Sequence, residues 1–104
     1  LLPHIQPTGM AMLALAGEDN SDPRIANSLN YLEGSLRPDT SAASLCYAVM
    51  GLAAHGRRIQ RTDPWLTQAA DRETSCYRLA LIALAQQDSL GWLSPQFVRE
   101  VVGV

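Results

Sequence analysis

Three stretches of the chain, residues 10–16, 42–54 and 76–85, are apolar nearly all the way round a helical wheel, the pattern of helices buried on most sides. Each follows a threonine, Thr8, Thr40 or Thr74, whose hydroxyl can accept a hydrogen bond from the first free amides of a helix. These threonines recur about every 33 residues. Two of the stretches run out towards a glycine, Gly17 and Gly56. Glycine enters the left-handed conformation that closes many helices without a steric penalty.

Between and after these stretches lie three segments of another kind, each opened by a capping residue and a proline: Asp22-Pro23, Asp63-Pro64 and Ser94-Pro95. Proline in the first helical turn loses no hydrogen bond and presets φ. In the first segment Ile25, Leu29, Leu32 and Leu36 form one stripe, while Arg24, Asn27, Asn30 and Glu33 cover the other sides, so that helix is half wet. The segments around Trp65, Leu66, Ala69 and Ala70, and around Phe97, Val98 and Val101, show the same one-sided pattern more weakly.

Buried and half-buried helices alternating at this period describe a helical repeat in which each hairpin covers its neighbour's apolar face. The pattern predicts an all-α domain over residues 1–104, with six helices in three stacked hairpins. Helix starts are expected near Thr8, Asp22, Thr40, Asp63, Thr74 and Ser94, and Leu13, Leu29, Leu45, Val49, Leu52, Leu79 and Leu84 are expected in the core. The competing arrangement is an irregular six-helix bundle with accidental spacing.

Composition strengthens the helical reading. Of the 104 residues 47 % are hydrophobic and only 6 % aromatic, with Ala and Leu dominating, which favours helix over sheet and suffices for one core. A net charge of −2 provides no basic field for a run of phosphates, so nucleic acid is not an expected partner. No uninterrupted stretch reaches the ~20 apolar residues of a membrane span. The expectation is a soluble chain, cytoplasmic by default. Its start, Leu1-Leu2-Pro3-His4, has no initiating Met and none of the features of a signal peptide, and reads as a cut from a longer protein.

Two features point to a family: the texture of Thr8-Gly9-Met10-Ala11-Met12-Leu13-Ala14-Leu15-Ala16, and the segment Gln86-Gln87-Asp88-Ser89-Leu90-Gly91-Trp92. The chain resembles the prenyltransferase and squalene-hopene cyclase repeat family, whose α/α toroids pair an inner with an outer helix in each repeat. That family places a Gln at the end of the inner helix, then a Gly and a Trp before the outer one. Here Gly91 and Trp92 are adjacent where the family usually has a residue between them, and the earlier turns, with Gly17-Glu18-Asp19-Asn20 and Gly56-Arg57-Arg58, lack the motif. The resemblance implies that the three hairpins form an arc of an α/α toroid. The tetratricopeptide repeat has nearly the same period, but its Trp, Leu-Gly and Tyr positions are not in register, and the Cys-Gly-Glu-Gln thioester segment of complement-type toroids is missing.

The chemistry of the resembling family is not carried by these residues. Its cyclases use an Asp-x-Asp-Asp acid motif, which the chain lacks; Glu18-Asp19-Asn20-Ser21-Asp22 reads instead as a solvated turn ending in a helix cap. Its protein prenyltransferases hold zinc with Asp, Cys and His, whereas His4, His55, Cys46 and Cys76 match no zinc spacing. The cysteines are expected as buried small hydrophobes and His55 as the closing residue of a helix.

Arg57, Arg58 and Arg61 form a basic cluster that could meet an anion or diphosphate, though complementing a helix C-terminus is the simpler role. Tyr47, with Ser41, Ser44 and Ser75, lies where toroids open a central cavity and is a candidate pocket contact, while hydroxyls near helix starts more often cap. No catalytic residue, metal site or cofactor is expected. The leading reading is a non-catalytic structural part of such a toroid, partnered by a second copy as a homodimer or by the rest of its parent chain. The alternatives are a cyclase or prenyltransferase domain binding an isoprenoid in an apolar cavity, and a helical scaffold that binds protein.

Overall fold

The computed structural model describes residues 4–87. Over that span the chain forms α1 (Ile5–Ala14), α2 (Pro23–Ser35), α3 (Ala42–Ala54), α4 (Asp63–Arg72) and α5 (Cys76–Ala85), with a 3₁₀ turn, Gln60–Thr62, leading into α4. No strand occurs among the described residues, and the chain is all-α. The helix expected at Ser94 and the motif residues from Asp88 to Trp92 lie outside them.

The proline-led starts fall where capping chemistry puts them. Asp22 Oδ1 accepts from the Arg24 amide at 2.9 Å and opens α2. In α4 the cap position is Thr62, and Asp63 becomes the first helical residue, where a carboxylate suits the positive end of the dipole. The threonine caps are displaced. Thr8 lies inside α1, which begins three residues earlier at Ile5 after His4; Pro7 is tolerated there because first-turn amides have no intrahelical acceptor. Ser41 rather than Thr40 occupies the cap position of α3, and Thr40 Oγ1 instead accepts from the Arg37 amide at 2.9 Å, closing the preceding turn. At α5 the capping hydroxyl is that of Ser75, which accepts from the Arg78 amide. Gly17 and Gly56 adopt φ of 96° and 81°, and at Gly56 the chain reverses through bonds from the Gly56 amide to Ala53 O and from the Arg57 amide to Leu52 O, the pattern that satisfies orphan carbonyls at a helix end.

The odd-numbered helices form one layer, with α3 between α1 and α5, while α2 packs across α1 and α3, and α4 across α3 and α5. As the middle member, α3 buries eight of its 13 residues. The core joins Leu29, Leu32 and Leu36 of the α2 segment to Leu45, Val49 and Leu52 of α3, Leu66 of α4 and Ile82 of α5. Leu13 is half-buried against it. Leu79 and Leu84, expected inside, are 37 % and 42 % exposed. The reason is position: among the described residues α5 packs chiefly against α3 and α4, so it buries Leu81, Ile82 and Ala85, and no major described neighbour lies on its other apolar sides.

Helices α1 and α3 meet backbone to backbone. A Cβ placed on Gly9 would lie 2.6 Å from the carbonyl carbon of Tyr47, and one on Gly51 would lie 2.6 Å from the carbonyl oxygen of Gly9. Only glycine at both positions permits this approach. No helix of the described residues is long and apolar enough to cross a membrane.

Candidate functional site

Two of the three arginines, Arg57 and Arg61, bring the α3–α4 connection onto the C-terminal end of α2, while Arg58 pairs locally with the start of α4. Arg57 Nη1 donates to Asn30 Oδ1 and to Glu33 Oε2, both at 2.8 Å. Arg61 donates to the carbonyl oxygens of Leu36, at 3.1 Å, and of Glu33, and its guanidinium lies 5.6 Å from the Trp65 ring centroid, within cation–π range. Arg58 Nη2 pairs with Asp63 Oδ1 at 2.9 Å, while its Nη1 is buried without a hydrogen-bond partner among the described residues. The carbonyls that Arg61 caps belong to the last turn and end of α2, so the helix dipole it complements is that of α2 and not of α3, the helix it follows in sequence. Each of the three guanidinium groups thus has protein acceptors, and an anion would have to compete with them.

Tyr47 is drawn into a separate cluster. Its phenolic oxygen lies 2.6 Å from that of Tyr77, in the first turn of α5, and this bond pushes the Tyr47 phenol above its ordinary pKa. The site residues therefore divide: Arg57 and Arg61 join α2 to the α3–α4 connection, Arg58 ties that connection to the start of α4, and Tyr47 joins α3 to α5. Cys46 is buried, and burial pushes its thiol up to about 11. Cys76, also expected to be buried, is exposed because it occupies the first turn of the flanking helix.

The acidic turn is locally self-satisfied. Asp19 accepts from the Ser21 amide at 2.9 Å, which holds its carboxyl below the usual range, and the Arg24 side chain and amide do the same for Asp22. Glu73 is lowered by the amide of Ser75, so it too acts as a turn clasp. Two clefts adjoin the acidic turn, one of ≈ 340 Å³ floored by Met12, Leu15 and Ile25 and one of ≈ 360 Å³ between Gly17, Asn20, His55 and Gly56. No group of three or more His, Cys, Asp or Glu residues among the described residues could hold a metal ion.

His55 closes α3 as its C-cap, as its sequence position suggests, and makes there a clasp that no local pattern announces. The ring is 7 % exposed. Its Nε2–H donates to the Met12 carbonyl at 2.8 Å, and Nδ1 faces Asn20 Oδ1 at 2.8 Å. Asn20 Nδ2 in turn donates to the His55 carbonyl at 3.0 Å. One side chain thus ties the end of α3 to α1 and to the α1–α2 turn. His55→Ala should lower the unfolding free energy by ~1 to 3 kcal/mol, because it strands a buried carbonyl as well as removing the ring. Urea denaturation measures this, with Asn20→Ala expected to lose less; a loss under ~0.5 kcal/mol for His55→Ala would reduce the clasp to a surface contact. Nothing local in the sequence identifies Asn20 or Tyr77 as partners, because each acts across 30 or more residues.

Comparison with family models, curated proteins and solved structures returned no match to this chain.

Proposed function

We propose that this chain is a non-catalytic structural arc of an α/α toroid of the prenyltransferase and squalene-hopene cyclase kind, completed by a second copy or by further hairpins of a parent protein. The observation that carries the reading is the two-layer packing, in which α1, α3 and α5 share one layer and α2 and α4 bridge them. Among the described residues the flanking members of that layer leave apolar side chains exposed: Met10 and Leu15 are 46 % and 39 % exposed on or beside α1, and Tyr77, Leu79 and Leu84 are exposed on α5. The terminal repeats of a finished array present polar outer faces. An apolar flank is instead what a further repeat, or a two-fold mate, would cover.

The basic cluster supports a structural role as well, since its guanidinium groups brace the α2 end and the α3–α4 connection. Sedimentation across a concentration series tests the proposal, with reversible dimers expected as the concentration rises. A monomer persisting at high micromolar concentration would refute self-association. Overnight incubation with squalene-like and prenyl diphosphate substrates should leave them unchanged. A cyclised or transferred product absent from heat-killed controls would assign the chain to the catalytic alternative.

A further inference from the structure

Tyr47 and Tyr77 are 30 residues apart in sequence, yet their phenolic oxygens are 2.6 Å apart across the α3–α5 interface. Tyr77 is 63 % exposed, so its ring has room to turn and is open to a reagent, while Tyr47 is half-buried. A phenol losing an electron becomes a strong acid, and its proton leaves along any hydrogen bond it makes. Here that bond runs to a second phenol, itself an oxidisable group. From this juxtaposition we infer that Tyr47 and Tyr77 form a site of oxidative coupling, joined as an intramolecular dityrosine when the chain meets a peroxidase-type one-electron oxidant and hydrogen peroxide.

The chemistry balances on those reactants. Each phenol gives up one electron and its O–H proton, leaving two phenoxyl radicals that pair through the ring carbons ortho to oxygen and form one C–C bond. The hydrogens on those two carbons then return to the oxygens as the rings regain aromaticity. The net change is the loss of two ring hydrogens, and hydrogen peroxide accepts the two electrons and two protons to give two waters. In the product the oxygens sit on carbons flanking the new bond, within hydrogen-bond reach of each other. The folded chain already holds the two oxygens at hydrogen-bond separation.

The consequence is a covalent staple between the middle helix of the layer and its flanking helix. It would restrict the unfolded chain as any cross-link across a loop does. Cys76, exposed beside Tyr77, is a competing reductant, so the test uses the full chain carrying Cys76→Ser, at a concentration where it is monomeric. Peroxidase and hydrogen peroxide should give a monomer lighter by two hydrogens, with the blue fluorescence of dityrosine and a raised urea midpoint. Tryptic mapping should join the peptide carrying Tyr47 to that carrying Tyr77. Because Arg37 precedes Pro38, Tyr31 shares the Tyr47 peptide, and the product must survive Tyr31→Phe while being lost in Tyr47→Phe and Tyr77→Phe. Circular dichroism checks that these variants fold, and fragment-ion mapping of the Cys76→Ser product identifies the joined residues without them. Covalent dimers as the sole product, a link that persists in Tyr77→Phe, or tyrosine consumption without coupling would each overturn the inference.

Discussion

Leu52→Ala should lower the free energy of unfolding by ~2 to 5 kcal/mol, the range of a large-to-small change at a core site that cannot collapse. Leu52 is 1 % exposed and lies on α3, the middle helix of its layer, against which α1, α2, α4 and α5 all pack. Its own carbonyl accepts from the His55 and Arg57 amides, so the backbone beside the void is held at the helix end and has little freedom to move in. Urea denaturation with an unchanged m-value would isolate the stability effect. A loss under ~0.5 kcal/mol would place Leu52 at a surface and contradict the packing of α3.

Gly51→Ala should destabilise although alanine is the better helix former. In an open helix the exchange gains up to ~1 kcal/mol, but here the new methyl would stand 2.6 Å from the carbonyl oxygen of Gly9. That atom is backbone and cannot rotate away, so α1 must shift off α3, and overpacking of this kind costs ~1 to 3 kcal/mol or more. Gly9→Ala meets Tyr47 backbone at a similar distance and should behave alike. Gly34 in α2 is the control, since a Cβ there meets nothing within 4 Å; Gly34→Ala should stabilise by roughly 0.5 to 1 kcal/mol. Thermal or urea unfolding of the three variants reads the signs directly. If Gly51→Ala and Gly34→Ala moved the midpoint the same way, the close α1–α3 crossing would be wrong.

The glycine pair marks the boundary between what the chain declares locally and what it does not. Helix positions were legible because their causes are near-neighbour ones: Asp22 caps two residues ahead, prolines sit in first turns, and Gly17 and Gly56 take positive φ. Even at Thr8, Thr40 and Thr74 the helix starts lie only a few residues away, with His4, Ser41 and Ser75 taking the cap positions of α1, α3 and α5. Among candidate site residues, type and place were legible but partners were not. Arg57, Arg58 and Arg61 stood out as a basic cluster, yet nothing in the sequence directs Arg57 to Glu33 or Arg61 to the end of α2.

By itself, the amino-acid order determined that this chain is helical, roughly where α1 to α5 lie, and which residues punctuate them, because capping, φ preference and apolar periodicity act within a turn or two of the chain. Only the tertiary structure decided which side of an all-round apolar helix turns inward. It buried Leu81 and Ile82 and left Leu79 and Leu84 outside, set Gly9 against α3, and paired Tyr47 with Tyr77 and His55 with Asn20. Those choices depend on which distant segment arrives at a given face, and a helix apolar on every side carries no periodic signal to say so.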